Sequence, residues 1–353
     1  MVLGGIHAFM RSNEALQFVD TIVLGEAETV WPKIIADFEA GSLQGVYQGE
    51  LPDLAHLPYP RRDLFSPRYM FASVQTSRGC PMDCEFCSVT SFNGRRYRRR
   101  PVDDVLDELE TIPQKQIFFV DDNIIGYGQQ SRDWALALFR GMVERRMNKW
   151  WFSQASINFA DDEEVIDWAG KSGCRMIFLG LEAEDGDALA KMNKRLNLNR
   201  GVANYEQAFR RIQGAGIAVL GAFIFGIDGD TPEKLCRRAE YMMHSGVDVM
   251  DATLLTPLPG TRVFDHIQQE GASPHRFPER LGSLRYDRGA VSAQNHDGDR
   301  FVRDDGQVFP ADVRLARVVA QGLADLPRYP KHGGDHVRLA VEHQLSQCFA
   351  RPN

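Results

Sequence analysis

Nothing in this sequence is long and apolar enough to cross a bilayer, since no run approaches the roughly 18 apolar residues a spanning helix needs. The start, MVLGGIHAF, lacks the basic flank and extended apolar stretch of a secretory leader. Positive charge is not in excess. The net charge is −7, which argues against nucleic acid or an anionic membrane surface as the partner of the whole chain. Cysteine is scarce too: six residues in 353, too few and too unevenly spread for a disulfide scaffold. Yet three of the six, Cys80, Cys84 and Cys87, fall within eight positions. In a reducing compartment such a cluster points to metal. The expectation is a soluble, cytoplasmic protein.

What is present is organised in stretches. Residues 1–45 read as a small α/β fragment, with a strand at Thr21–Leu24 and a helix from about Glu28 to Glu39 ended by Gly41. Residues 46–70 hold Pro52, Pro58, Pro60 and Pro67 and suit a linker. From 71 to 271 strand and helix patterns alternate. Strands are expected at Phe71–Thr76, Gln116–Val120, Trp150–Ala155, Arg175–Gly180, Ile217–Phe225 and Val247–Leu255. Helices are expected at Val102–Ile112, Gln130–Arg146, Asp162–Ser172, Arg200–Gly214, Pro232–His244 and Arg262–Gln269. Six βα repeats predict an α/β fold with a parallel sheet, doubly wound or curled into a partial barrel. Ligands then belong at the carboxyl ends of the strands. Residues 272–353 lose this periodicity and form an irregular tail.

The cysteines stand as Cys80-Pro81-Met82-Asp83-Cys84-Glu85-Phe86-Cys87, a CxxxCxxC directly after the first core strand. Thiolates so spaced can wrap three irons of a cubane. A closed structural site needs four protein ligands, so three leave one iron open to a small molecule. The competing reading is a zinc site completed by a distant histidine. With RGCP leading in and Phe86 inside it, the motif resembles that of the radical S-adenosylmethionine (SAM) superfamily, and the resemblance covers about residues 71–271.

That resemblance implies a partial (β/α)6 barrel, a 4Fe–4S cluster on Cys80, Cys84 and Cys87, and SAM on the open iron. It also implies reductive cleavage of SAM to a 5′-deoxyadenosyl radical, with electrons from a reductant such as flavodoxin or ferredoxin and a small-molecule substrate. Further cofactor contacts are implied at Phe86, at Asp121 and Asp122 for the SAM amino group, and at Gln154. Glu182 would meet the ribose hydroxyls, and Ile224 and Gly226 the adenine. The bland alternatives are a helix N-cap for the Asp121-Asp122-Asn123 run and a buried strand for Ala222–Gly226. The one basic run, Arg95 to Arg100, reads as carboxylate or phosphate contacts near SAM, as a solvated face, or as a nucleic-acid patch. The isolated Cys174, Cys236 and Cys348 read as buried or incidental thiols.

Residues 1–50, with VLGGIHA, Asp20-Thr21-Ile22-Val23 and Gly25-Glu26-Ala27-Glu28, resemble the last part of a Rossmann-like cobalamin-binding domain. This implies the cobalamin-dependent branch, whose members include methyltransferases and C–C bond-forming enzymes. The rest of that domain and its DxHxxG loop are not in the sequence, so this flank reads as a remnant that binds cobalamin poorly. The tail lacks the DW-x-x-YD that such relatives carry. A one-base shift over Arg280–Asp287 permits DWARYDM, so the tail reads as an out-of-frame extension or as a divergent substrate domain. Two other readings stand beside the main one: a methylthiotransferase acting on tRNA or protein, and an inactive fragment.

Overall fold

The computed structural model describes residues 1–269 apart from His56 and Pro67. The expected tail, 272–353, lies outside the described residues. In chain order the elements are β1 (Val2–Leu3), α1 (Ile6–Met10), α2 (Ser12–Ala15), β2 (Thr21–Leu24), α3 (Trp31–Glu39) and β3 (Val46–Gln48). Next come β4 (Phe71–Val74), β5 (Ser77–Arg78), α4 (Val89–Asn93), β6 (Arg98–Arg99), α5 (Val102–Thr111), β7 (Gln116–Phe119), α6 (Gln129–Glu144) and β8 (Trp150–Ala155). They are followed by α7 (Glu163–Lys171), β9 (Cys174–Glu182), α8 (Gly186–Lys191), α9 (Arg195–Arg200), α10 (Tyr205–Gly214), β10 (Ala218–Phe225), α11 (Pro232–His244), β11 (Val249–Leu254) and α12 (Arg262–Gln269).

Six strands form one sheet in the order β11-β10-β9-β8-β7-β4, and the pairs β4–β7, β7–β8, β8–β9 and β10–β11 are parallel. The order follows the sequence without reversal. A doubly wound sheet reverses at a switch point, so this is the singly wound, barrel-type alternative. The chain divides into two compact units. One holds Met1–Leu179, Arg211–Val219 and Leu258–Arg262; the other holds Gly180–Arg210, Leu220–Pro257 and the chain from Val263 on.

In the first unit, side chains alternate along the strands as the pleat requires. Ile117, Phe119, Trp151 and Ser153 are buried. Trp151 stacks on Phe139 of α6 at 5.1 Å and meets Phe119 edge-on at 5.4 Å. This is the helix-covered face, where each buried aromatic contributes about 1.5–3 kcal/mol. The opposite face carries Phe118 stacked on Phe152 at 4.3 Å, with Phe71 edge-on to Phe152 at 5.7 Å.

The N-terminal strands form a separate parallel sheet, β1-β2-β3. Ile22 packs with Ala8 and Ala15 on one side, while Val23 packs with Ile34 and Tyr47 on the other. Covered on both faces, it has the layering of a Rossmann-like fragment. The stretch expected to be a linker from residue 46 therefore opens with strand β3, paired to β2.

In the second unit, Phe223 of β10 meets Tyr241 of α11. The fully buried side chain of Arg238 on the same helix lies among carboxylates.

Candidate metal and cofactor site

The cysteines occupy a loop closed by a small antiparallel ribbon, in which Ser77 of β5 pairs with Arg99 of β6 and Arg78 with Arg98. Gly79 enters the loop at φ +93°, and a Cβ there would stand 2.1 Å from the Arg96 carbonyl oxygen. Only glycine allows that approach. The Cys80 amide donates to the Gly94 carbonyl (3.1 Å) and the Cys87 amide to that of Cys84 (3.3 Å). None of the three is disulfide-bonded, and all are half-buried. Burial pushes the Cys87 thiol up to about 11, the charges of Cys84, Cys80 and Asp122 add to it, and the Val89 amide opposes it. Cys87 therefore feels the other two cysteines and Asp122.

Among the described residues, no three Cys, His, Asp or Glu side chains converge as one metal ion would require. A cubane makes a different demand, because each thiolate binds its own iron. Three cysteines on one loop, none of them disulfide-bonded, fit that demand.

The loop's own acidic residues are compensated. Arg262, on the far side of the sequence, donates through Nε to Glu85 (2.8 Å), through Nη1 to the Asp83 carboxylate (3.0 Å) and through Nη2 to the Asp83 carbonyl (2.6 Å). Arg95 adds an ion pair to Asp83 at 2.6 Å. Together the two arginines hold the Asp83 carboxyl below its usual range. At the base of the loop, buried Glu26 accepts from both Arg78 and Arg98, and Glu28 accepts from Arg78 at 2.7 Å. The Tyr97 hydroxyl stands 4.0 Å from Cys80 Sγ.

The second strand end separates its two carboxylates. Asp121 is buried, and its carboxylate accepts from the Thr76 amide (3.1 Å), the Thr76 hydroxyl (3.0 Å) and the Ser77 hydroxyl (2.6 Å). Burial still raises its pKa despite these donors. This corrects the expectation that Asp121 is open to the SAM amino group: it is spent tying the end of β4 to the end of β7. Asp122 is the exposed member of the pair. Solvent reaches it, yet partial desolvation and then the Asp121 charge push its carboxyl up to about 6, with an Asn93 hydrogen bond opposing. The N-cap alternative also fails, because Gly128 holds the cap position of α6 and Asn123 bonds to Ser156 and to the Gly126 amide. Gln154 is half-buried, and its carbonyl accepts from the Ile124 amide at 2.9 Å. Phe86 lies half-buried on the cysteine loop itself.

The second unit holds the other three expected contacts. Glu182 adopts φ +68° and pairs with Lys194 at 2.5 Å. A Cβ at Gly180 would stand 2.5 Å from that carboxylate, whose side chain would have to shift. Gly226, at φ +80°, opens the turn after β10, and its amide and that of Ile227 donate to Asp230 (3.0 and 2.9 Å). Arg238 fixes that aspartate at 2.7 and 3.0 Å and takes the Ile224 carbonyl at 2.9 Å. The Ile224 side chain is buried, as the buried-strand alternative expects.

The basic run is mostly spent within the protein. Arg98 binds Glu26, Arg99 donates to the Ile124 carbonyl and lies over Trp134, and buried Arg100 binds Glu108. This corrects its reading as a phosphate or nucleic-acid surface. Sequence reasoning missed Arg262, Lys194, Arg238 and the pairing of Glu26. Their partners lie up to 179 residues away, and no local pattern announces such pairs. The one available signal was a charged residue following the TPLPGT turn at a strand end.

Residues 74–242 match the Radical SAM superfamily. The chain is 29% identical to bacteriochlorophyllide d C-12(1)-methyltransferase of Chlorobaculum tepidum, over 76% of this chain and 60% of that protein. It is 31% identical to hopanoid C-2 methylase of Rhodopseudomonas palustris, over 63% and 43% respectively. It thus spans less than two thirds of the length of these relatives. Its fold resembles the radical SAM methyltransferase TsrM of Kitasatospora setae, solved with cobalamin and a [4Fe-4S] cluster, with a TM-score of 0.66 at 20% identity, over 78% of this chain and 61% of that one. Through this core, the chain is similar to the radical SAM superfamily.

Proposed function

We propose that this chain carries the catalytic core of a radical SAM methyltransferase of the cobalamin-dependent type. The observation that supports it most is the ribbon-closed loop with three half-buried cysteines, none of them disulfide-bonded, beyond the carboxyl end of β4. Cys80, Cys84 and Cys87 would hold a 4Fe–4S cluster, with one iron left for SAM. When bound and reduced, that cluster supplies the electron that cleaves SAM to a 5′-deoxyadenosyl radical.

The chain's own residues bind and orient. Asp122 offers an accessible carboxylate to the SAM ammonium, while buried Asp121 fixes the two strand ends around it. Glu182, oriented by Lys194, would accept from the ribose hydroxyls. The Gly226 turn, braced by Asp230 and Arg238, would hold the adenine. The internal pairing of Arg98–Arg100 weighs against nucleic acid. No helix among the described residues is long and apolar enough to cross a membrane.

Methyl transfer is supported by the names of the relatives, and cobalamin by the N-terminal sheet and the TsrM fold. No DxHxxG histidine is present, and this chain alone is expected to retain little cobalamin. Stoichiometric cobalamin after desalting would contradict that. Anaerobic reconstitution with iron and sulfide, then SAM and dithionite, tests the core: 5′-deoxyadenosine should form with the wild type and not with Cys84→Ala. A reconstituted wild type that releases none sinks the reading.

A further inference from the structure

Two carboxylates stand between the cysteines, Asp83 and Glu85, where a cluster core and its thiolates would already carry negative charge. Left alone, they would disfavour adding an electron, because the reduced state is the more negative one. The structure supplies a counter-charge from outside the loop. Arg262 points three donors at this one segment, two at Asp83 and one at Glu85, all between 2.6 and 3.0 Å. A planar guanidinium can hold such a fork, and an ammonium cannot.

The segment that carries Arg262 is itself anchored to the neighbourhood of the loop. The Gly260 carbonyl accepts from Ser91 of α4, the helix that follows the cysteines (3.0 Å). Thr261 is buried, and its hydroxyl donates to the Leu258 carbonyl. Arg95 contributes a second, more exposed cation to Asp83. Isolated surface ion pairs are worth little, but this one joins two arginines, two carboxylates and a backbone carbonyl around a single loop.

We infer that Arg262 is a positioning residue for the metal-binding loop, neutralising Asp83 and Glu85 and thereby setting both the loop's geometry and how readily the bound cluster is reduced. This rests on the proposed cluster, and the experiment separates the two. Wild-type chain, Arg262→Gln, Arg262→Lys, the double variant Asp83→Asn/Glu85→Gln and its combination with Arg262→Gln are reconstituted anaerobically and titrated reductively, with the reduced cluster followed by electron paramagnetic resonance.

With Arg262→Gln, the ratio of reduced to oxidised cluster at a fixed potential should fall about threefold or more. The carboxylate double variant should raise that ratio and, combined with Arg262→Gln, cancel the loss. Arg262→Lys keeps the charge without the fork. It should hold the ratio near wild type but release iron faster on desalting. A wild-type chain that takes up no cluster overturns the cluster reading, and this proposal with it. A wild-type cluster whose ratio is unmoved by Arg262→Gln and by the carboxylate double variant overturns this proposal alone. Should Arg262→Gln not fold, the double variant still decides, because it alters the same charge balance from the loop side.

Discussion

Asp121 and Asp122 are adjacent, and the structure gives them opposite surroundings. Three hydrogen bonds from Thr76 and Ser77 converge on Asp121 in a buried setting. Truncation to alanine leaves those donors without an acceptor, at a cost of about 1–3 kcal/mol. Asp121→Ala should therefore lower the urea midpoint clearly, and Asp121→Asn much less, because the amide oxygen still accepts. Asp122→Ala should leave that midpoint almost unchanged. It should instead weaken binding of SAM to the reconstituted protein by roughly tenfold, the worth of one charge-assisted hydrogen bond. Equal effects of the two alanine variants on stability would remove the distinction. The sequence showed that carboxylates stood at this strand end but not which one was open, because that depends on Thr76 and Ser77, 45 and 44 residues before Asp121.

Elements with a strong period were legible; those held by single contacts were not. Trp150–Ala155, Pro232–His244 and Arg262–Gln269 lie where alternation or 3.6-residue spacing placed them. The two-residue strands β5 and β6 and the six-residue helices α8 and α9 are too short for periodicity to register. The ribbon that closes the cysteine loop was therefore invisible, although the cysteines were not. Helix α7 shows what a single terminal residue does. Asp162 caps it by accepting from the Glu164 and Val165 amides at 3.1 Å, and Arg132 of α6 grips the same carboxylate. Burial alone would raise the Asp162 pKa, but the Arg132 and amide hydrogen bonds outweigh it and hold the carboxyl below 3.8. A carboxylate with a depressed folded value stabilises fully above its unfolded value and loses that contribution as pH falls through the folded one. Asp162→Ala should cost about 1 kcal/mol at pH 7. The gap from wild type should narrow once pH drops below 3.8, as read from urea midpoints across that range. A gap independent of pH would mean the cap works without its charge.

At the scale of the whole molecule, the N-terminal sheet matters for what it touches. Glu26 follows β2, is buried, and takes Arg78 and Arg98 from the two strands that bracket the cysteine loop. Arg78 stands two residues before Cys80, so the carboxylate of one sheet fixes the root of a loop that belongs to the other. The Gly25-Glu26 turn fits only because Gly49 has no side chain, since a Cβ there would meet the Glu26 carbonyl oxygen at 2.1 Å. The sequence carried the Gly-Glu-x-Glu signature, but not the fact that its first carboxylate reaches the cysteine loop. Replacing one member of a fully buried ion set costs about 3–5 kcal/mol. Arg78 and Arg98 retain some solvent and Arg78 keeps Glu28, so Glu26→Gln should cost less, about 2 kcal/mol. The more telling readout is iron. If the N-terminal sheet fixes the loop through Glu26, the reconstituted Glu26→Gln protein should lose iron on desalting several-fold faster than wild type at temperatures where both stay folded. Glu26→Asp, too short to reach both arginines together, should fall between them. Iron retention equal to wild type alongside a lowered midpoint would mean that the sheet stabilises the chain without governing the loop. The N-terminal fragment would then be a neighbour of the site rather than a part of its support.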